Sequence, residues 1–325
     1  MSIKMETTNE MRGEVEALLK VRDLSLSFFQ YTSGLRQREL KIISNMSLEA
    51  YSGEVLAVVG SSGSGKSLLA HAILGILPSN SRLSGSMEYK GQSLTQKRKE
   101  ELRGKEIALI PQSTTYLDPL MRVSDQVIGS VEKKDKDAMK ERQKGIFQRY
   151  GLKANVDRML PHELSGGMTR RVLVSTALMS SAKLIIADEP TPGLDEKNLN
   201  ETLRYFRDMA KKGCAVILIT HDIEAALKIS DRIAIFYAGT ILEEARIEDF
   251  RNDGEDLRHP YTRALWKALP QNRFQATKGH QPMQDELNGG CVYFERCSIR
   301  TEHCSKDVPQ LKRIDGGLVR CNNVS

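Results

Sequence analysis

The string Gly60-Ser-Ser-Gly63-Ser-Gly65-Lys66-Ser67 limits what this chain can be more than any other part of it. It fits G-x-x-x-x-G-K-[ST], a pattern that carries meaning only between a strand and a helix. Both are expected here. Val55-Leu-Ala-Val-Val59 is a continuous apolar run, as a strand buried on both faces requires, and Leu68 to Leu77 reads as a helix. In that setting the glycines let backbone N–H groups turn inward around phosphate oxygens. The helix start adds partial positive charge. Lys66 is expected to reach the β- and γ-phosphates and the Ser67 hydroxyl to ligate Mg²⁺. The expected triphosphate site is therefore Gly60, Ser61, Ser62, Gly63, Ser64, Gly65, Lys66, Ser67 and Leu68. A chance Gly/Ser turn before a lysine would lack the flanking strand and helix.

The surrounding pattern is α/β. Three more short apolar runs, Leu184–Ala187, Ala215–Ile219 and Ile233–Phe236, alternate with helical segments, which predicts a parallel sheet flanked by helices. Ahead of the phosphate loop, Leu24, Leu26 and Phe28, then Met46, Leu48 and Ala50, alternate with polar residues. Those are half-buried strands, expected to form an N-terminal antiparallel part joined by a hairpin-like loop at 30–40. From about 92 to 180 charge-dense helical stretches (96–105, 132–149) predict a helical insertion. Residues 271–290 are polar, with Gly and Pro, and read as a linker.

Composition narrows the class. Of 325 residues, 40% are hydrophobic and 28% charged, an ordinary soluble balance. No apolar run opens the chain, so no secretory signal is expected. None approaches the roughly 20 residues that span a bilayer, so a membrane role would come through a partner. The net charge of +6 is spread among interleaved acids and bases, and no nucleic-acid partner is expected.

Leu184-Ile-Ile-Ala-Asp188-Glu189 puts two carboxylates at the C-terminal end of a buried strand, where parallel sheets bind ligands. Asp188 is expected to hold Mg²⁺ and Glu189 to orient or deprotonate an attacking water. Leu164-Ser165-Gly166-Gly167-Met168 lies between the two sites; alone it is a helix cap and turn. The order of phosphate loop, Gln112, Leu-Ser-Gly-Gly-Met, Asp188-Glu189, Asp195 and His221 resembles ABC-type ATPases from about residue 18 to 250. That resemblance implies a P-loop NTPase core binding ATP. It also implies a head-to-tail dimer in which Ser165, Gly166 and Gly167 touch the γ-phosphate on the opposite subunit. Gln112 would match the glutamine loop at Mg²⁺ and the attacking water. His221, in Ile-Thr-His-Asp, would match the switch histidine, and Asp195 the dimer-contact loop. Phe28 falls where the family stacks an aromatic ring on adenine. Met168 and Pro192-Gly193 depart from the usual glutamine and small residues, without removing a catalytic carboxylate.

Further strings are similar to the peptide/nickel import branch: Pro161–Met168, His259-Pro-Tyr-Thr-Arg-Ala-Leu-Trp-Lys-Ala-Leu-Pro270, and a C-terminal extension over 251–325. Cys291, Cys297, Cys304 and Cys321 are spaced C-x5-C-x6-C-x16-C. Four thiolates can close a zinc site or cap an iron–sulfur cube, and free thiols or an occasional disulfide also remain open. The branch resemblance points to a [4Fe–4S] cluster. Glu295 and Gly317 depart from the branch pattern, which has proline and histidine there. The resemblance implies the ATP-hydrolysing, energy-coupling subunit of an importer for oligopeptides, dipeptides or nickel (or a nickel chelate). It would work at the cytoplasmic face of the membrane with two permease subunits, a second, paralogous ATPase and an extracytoplasmic binding protein. The rivals are a soluble ABC ATPase of DNA repair or translation, and a regulatory subunit with little turnover.

Overall fold

The computed structural model describes residues 16–31, 36–129, 135–275, 279–282, 286–287 and 289–324. The alternating N-terminal residues form strands β1 (Leu19–Tyr31) and β2 (Gln37–Ala50), paired antiparallel from Leu19↔Ala50 to Tyr31↔Gln37. The strands run well into the stretch expected as a loop, and its tip at 32–35 lies outside the described residues. The apolar run becomes β3 (Val55–Val59), buried throughout, and leads through the phosphate loop into helix α1 (Lys66–Leu74). Strands β4 (Ser81–Tyr89) and β5 (Gln92–Ser93) complete an antiparallel sheet of order β2-β1-β4-β5.

Helix α2 (Gln96–Leu102) follows, then strand β6 (Ile107–Ile110). That strand lies inside the expected helical stretch, yet it joins the main sheet. Helices α3 (Val123–Ile128), α4 (Lys136–Arg149) and α5 (Gly166–Met179) then pack around Val123, Phe147, Val156 and Val172. The beginning of the expected 132–149 helix lies outside the described residues. Strand β7 (Leu184–Asp188), α6 (Glu196–Lys211), β8 (Ala215–Thr220), α7 (Ile223–Ile229) and β9 (Arg232–Tyr237) alternate as the apolar runs predict. The chain ends with β10 (Thr240–Arg246), α8 (Pro260–Lys267), β11 (Leu311–Ile314) and β12 (Gly317–Arg320).

Among the described residues the larger sheet has the order β11-β12-β10-β9-β3-β8-β7-β6. The five strands from β9 to β6 are parallel, and β10, β12 and β11 add an antiparallel edge. Successive side chains of β3 serve opposite faces. Val55, Ala57 and Val59 enter one core with α5, α6 and α7, while Leu56 and Val58 enter another beneath the antiparallel sheet. Helix α5 spans two cores: Val172 and Leu173 face the helical cluster, Val174 and Ala177 the sheet.

The C-terminal extension is bonded into this body. Glu243 on β10 is fully buried, and its carboxylate accepts the backbone N–H groups of Arg258 and His259, both at 2.8 Å. Those donors sit at the start of α8, where a carboxylate is favoured. Burial pushes His259 down to about 3; the neutral ring accepts the Tyr261 N–H through Nδ1 at 3.0 Å. Arg320 on β12 donates to the carbonyls of Ile241 and Asn45, tying the extension to both sheets. Among the described residues no helix is long and apolar enough to cross a membrane.

Candidate active site

Parallel pairing sets the ends of four strands flush. Val59 lies opposite Thr220, Ile219 opposite Asp188, and Ala187 opposite Ile110. The segments that follow β3, β8, β7 and β6 therefore meet at one edge, and they carry the phosphate loop, His221, Glu189 and Gln112.

Two glycines of the loop have steric reasons. A Cβ at Gly60 would stand 2.5 Å from the carbonyl oxygen of Phe236. Gly65 has φ +98°, and a Cβ there would meet Ile42 Cγ2 at 2.6 Å. Within the loop Lys66 is 5% exposed. Its Nζ donates to the carbonyls of Gly60 (2.9 Å) and Ser61 (2.7 Å) and lies 3.5 Å from Ser64 Oγ. Burial pushes this ammonium below its ordinary range, opposed by the charges of Glu189 and Asp188. Ser67 Oγ donates to Asp188 Oδ1 at 3.0 Å. Asp188 is 3% exposed, and burial pushes its carboxyl up to about 6; Glu189 adds to the rise, and Ser67 and Lys66 oppose it. A serine hydroxyl and a buried carboxylate, one hydrogen bond apart, are the hard oxygen donors that Mg²⁺ prefers.

Glu189 is also buried, with its backbone in the left-handed region at φ +45°. Its N–H donates to Ile219 O at 2.9 Å. Both its carboxylate oxygens lie 2.9 Å from His221 Nδ1. A carboxylate only accepts, so Nδ1 is the donor. Gln112, exposed at the end of β6, contributes its carbonyl to a bond from Arg170 Nη2 at 3.3 Å.

Other expected residues stand apart. Ser165 caps α5, accepting from the Met168 N–H at 3.4 Å. Ser165 and Gly166 are exposed at the helix start. Among the described residues no hydrogen bond joins 165–167 to the phosphate loop. Asp195 caps α6 through the Asn198 N–H at 2.9 Å. Phe28 is half-buried on β1, opposite Leu40 and Ser81, and packs on the core beneath. Two contacts had no signal in the sequence. Arg170 reaches the carbonyl of Glu189. Gln281, in the stretch expected as a linker, accepts a hydrogen bond from Ser61 Oγ at 2.8 Å.

The tail cysteines gather in one neighbourhood, none in a disulfide. Cys291 N–H donates to Cys304 O at 2.8 Å. Burial pushes the Cys291 thiol up to about 11, and charge on Cys297, Cys321 or Cys304 would push it further. Burial raises Cys304 too, but hydrogen bonds from Thr301 and Asn323 outweigh it and bring that thiol down. Among the described residues no group of three or more His, Cys, Asp or Glu side chains is arranged to hold a metal ion. That holds for the expected zinc and for the expected cluster alike. A Cβ at Gly317 would stand 2.7 Å from Arg258 Nη1, so a side chain there would require the guanidinium to shift.

Comparison with known proteins agrees with this architecture. The ABC transporter family matches residues 43–192, and the C-terminal region of oligopeptide/dipeptide transporters matches 242–304. The dipeptide transport ATP-binding protein of Haemophilus influenzae is 34% identical, over 94% of this chain and 95% of its own length. The oligopeptide transport ATP-binding protein of Bacillus subtilis is 37% identical over 79% of this chain and 73% of its own. Among solved structures, a bacterial ABC transporter cassette in dimeric form superposes with a TM-score of 0.61 at 23% identity. It covers 70% of this chain and 98% of that one, a likeness of fold. With its phosphate loop, its acidic strand end and near full-length relatives at this identity, the chain belongs to the ABC-type ATPases, in the branch of dipeptide and oligopeptide transport ATP-binding proteins.

Proposed function

We propose that this chain drives the import of short peptides by hydrolysing ATP, with Glu189 as the general base. The observation that carries the reading is the convergence of Lys66, Ser67, Asp188, Glu189 and His221 on one sheet edge. Peptide import is favoured over nickel because the relatives are named for dipeptide and oligopeptide transport. The match at 242–304 to an oligopeptide/dipeptide transporter region favours transport over a soluble role in DNA repair or translation.

The chemistry follows from the residues. The phosphate loop and Leu68 would cradle ATP, and Lys66 would exchange its bonds to Gly60 and Ser61 for the β- and γ-phosphates. Ser67, Asp188 and Gln112 would hold Mg²⁺, which when bound neutralises charge on the phosphate oxygens. Glu189 would take the proton of the attacking water, held in place by His221 Nδ1. Phe28 would stack on adenine. Ser165, Gly166 and Gly167, at the start of a 14-residue helix, would complete the nucleotide site of a second, paralogous ATPase. On this reading residues 18–250 form the ATP-binding domain and 251–325 an extension. The chain docks at the cytoplasmic face of the membrane on two permease subunits, supplied by an extracytoplasmic binding protein.

The tail would carry a [4Fe–4S] cluster on Cys291, Cys297, Cys304 and Cys321. The all-cysteine donor set supports it. Thiolates on different corners of a cube need not converge on one point as they must around zinc. Anaerobic purification should give about four irons and four sulfides per chain; stoichiometric zinc without iron would refute the cluster. The catalytic reading is tested by Glu189→Gln in the assembled complex. Hydrolysis should fall at least about a hundredfold with ATP binding retained. An unchanged rate would overturn the assignment.

A further inference from the structure

We propose that Arg170 is a positioning residue, coupling the helix that presents Ser165-Gly166-Gly167 to this chain's own Glu189 and Gln112. The proposal rests on the catalytic and dimer readings above. It is carried by two hydrogen bonds that those readings do not use.

Arg170 sits early in α5, four residues beyond Gly166, or roughly 6 Å along the helix axis. Its Nη1 donates to the carbonyl of Glu189 at 2.5 Å, and its Nη2 donates to the carbonyl of Gln112 at 3.3 Å. The two acceptors lie just past the ends of neighbouring parallel strands, β7 and β6. One planar guanidinium therefore spans both segments, each bond leaving from a different nitrogen of a rigid fork.

The Glu189 backbone needs such support. A non-glycine residue at φ +45° is held there by its surroundings. Its N–H is bound by Ile219 O and its carbonyl by Arg170. The peptide units on either side are pinned, and the carboxylate is aimed at His221 between them. Freeing the carbonyl would let the backbone relax and swing the carboxylate away from the site of the attacking water.

The neighbouring residue fastens the same helix the other way. Arg171 Nη1 donates to Tyr150 O at 3.0 Å, and its Nε donates to Gly167 O at 3.2 Å. Arg171 thus secures α5 to the helical part at the end of α4, while Arg170 bonds α5 to the catalytic edge. With side chains in both hydrophobic cores, α5 moves as a rigid piece. A shift of its N-terminus, when 165–167 engage the partner's nucleotide, displaces Arg170 and with it Glu189 and Gln112. Occupancy of one nucleotide site is read in the other through this arginine.

The test uses the complete chain in its assembled complex. Arg170→Lys and Arg170→Gln are compared with wild type and with Glu189→Gln. Four quantities are measured: kcat, the Hill coefficient for ATP, Kd for a fluorescent ATP analogue, and Tm. Both Arg170 variants should lose at least about tenfold in kcat, as a small misplacement of a catalytic group does. Their Hill coefficients should fall toward 1, with Kd within about twofold and Tm close to wild type. Wild-type kcat and cooperativity in both variants, with Glu189→Gln inactive, would overturn the role of Arg170 alone. A loss of kcat matched by an equal loss of nucleotide affinity or a collapse in Tm would also overturn it, because the role would then be structural. Full activity in Glu189→Gln would instead remove the catalytic reading on which the proposal stands.

Discussion

Asp188 shows how one residue is placed under strain for its task. Burial pushes its carboxyl up from the ordinary 3.8 to about 6. Folding therefore favours the neutral acid. That contribution is present below pH 3.8 and is lost as pH rises through 6. Above pH 7 the buried charge costs ~3 kcal/mol, a cost that Mg²⁺ with ATP would offset. Asp188→Asn removes the charge and keeps an acceptor for Ser67. It should raise the Tm of the nucleotide-free protein at pH 8, with the gain vanishing near pH 4 in a calorimetric series, while abolishing Mg²⁺-dependent hydrolysis. A pH-independent gain, or none, would show that burial is not the origin of the raised value. The direct hydrogen bond between Asp188 and Ser67 comes from the fold; that the two meet was legible in the sequence, only through the Mg²⁺ at which both are expected. Arg170 was not: on a helix Thr169-Arg-Arg-Val172 says only that two cations adjoin, and their acceptors are backbone carbonyls that any residue could supply.

Elements, more than residues, explain how the phosphate loop is held. Ser61 accepts Lys66 Nζ on its carbonyl and donates from its hydroxyl to Gln281. The segment 279–282 thus lies against the nucleotide-free loop, 220 positions away in sequence. A net hydrogen bond is worth about 1 kcal/mol. If ATP must release Lys66 from Ser61 and readjust that residue, Gln281→Ala should tighten ATP binding about two- to tenfold, measured by titration calorimetry on the intact chain. Weaker binding would instead make Gln281 part of the bound-state cradle. The composition of 271–290 predicts a linker; only the packing of the extension on β9 and β10 brings Gln281 to Ser61. The same limit applies to β6. Its four apolar residues, Ile107–Ile110, sit among charged helices, and a run that short carries too little periodicity to stand out.

At the scale of the whole molecule the extension is part of the main sheet. Strand β12 pairs with β10 through Glu243↔Val319 and Glu244↔Leu318, and Leu257, Tyr261, Leu269 and Tyr293 enter the core of the ATP-binding body. A chain truncated after residue 250 would leave β10 as an unpaired edge. It would also strip the carboxylate of Glu243 of the two N–H donors it has at 2.8 Å. The apolar surface that the extension covers would face water, and an exposed strand edge pairs with other chains. The truncated protein should be aggregated or insoluble in size-exclusion chromatography, and Glu243→Ala in the full chain, which leaves those two N–H groups without their acceptor, should lower stability by about 1–3 kcal/mol in denaturant titration. A monodisperse, ATP-binding truncation would show that the two parts fold separately.

The sequence by itself determined the family and most of the nucleotide edge. The phosphate loop, the acidic strand end and His221 are local strings whose chemistry demands particular residues at particular spacings, and a parallel sheet then has to bring their strand ends together. The tertiary structure alone decided what depends on contacts between distant segments: the strand inside the helical stretch, the fastening of the extension to β10, the reach of Gln281 to Ser61 and of Arg170 to Glu189. These contacts run through backbone carbonyls, buried edges and side-chain reach. In most of them one partner is a backbone group or a strand edge that any residue could supply, so no paired string in the order of amino acids marks them.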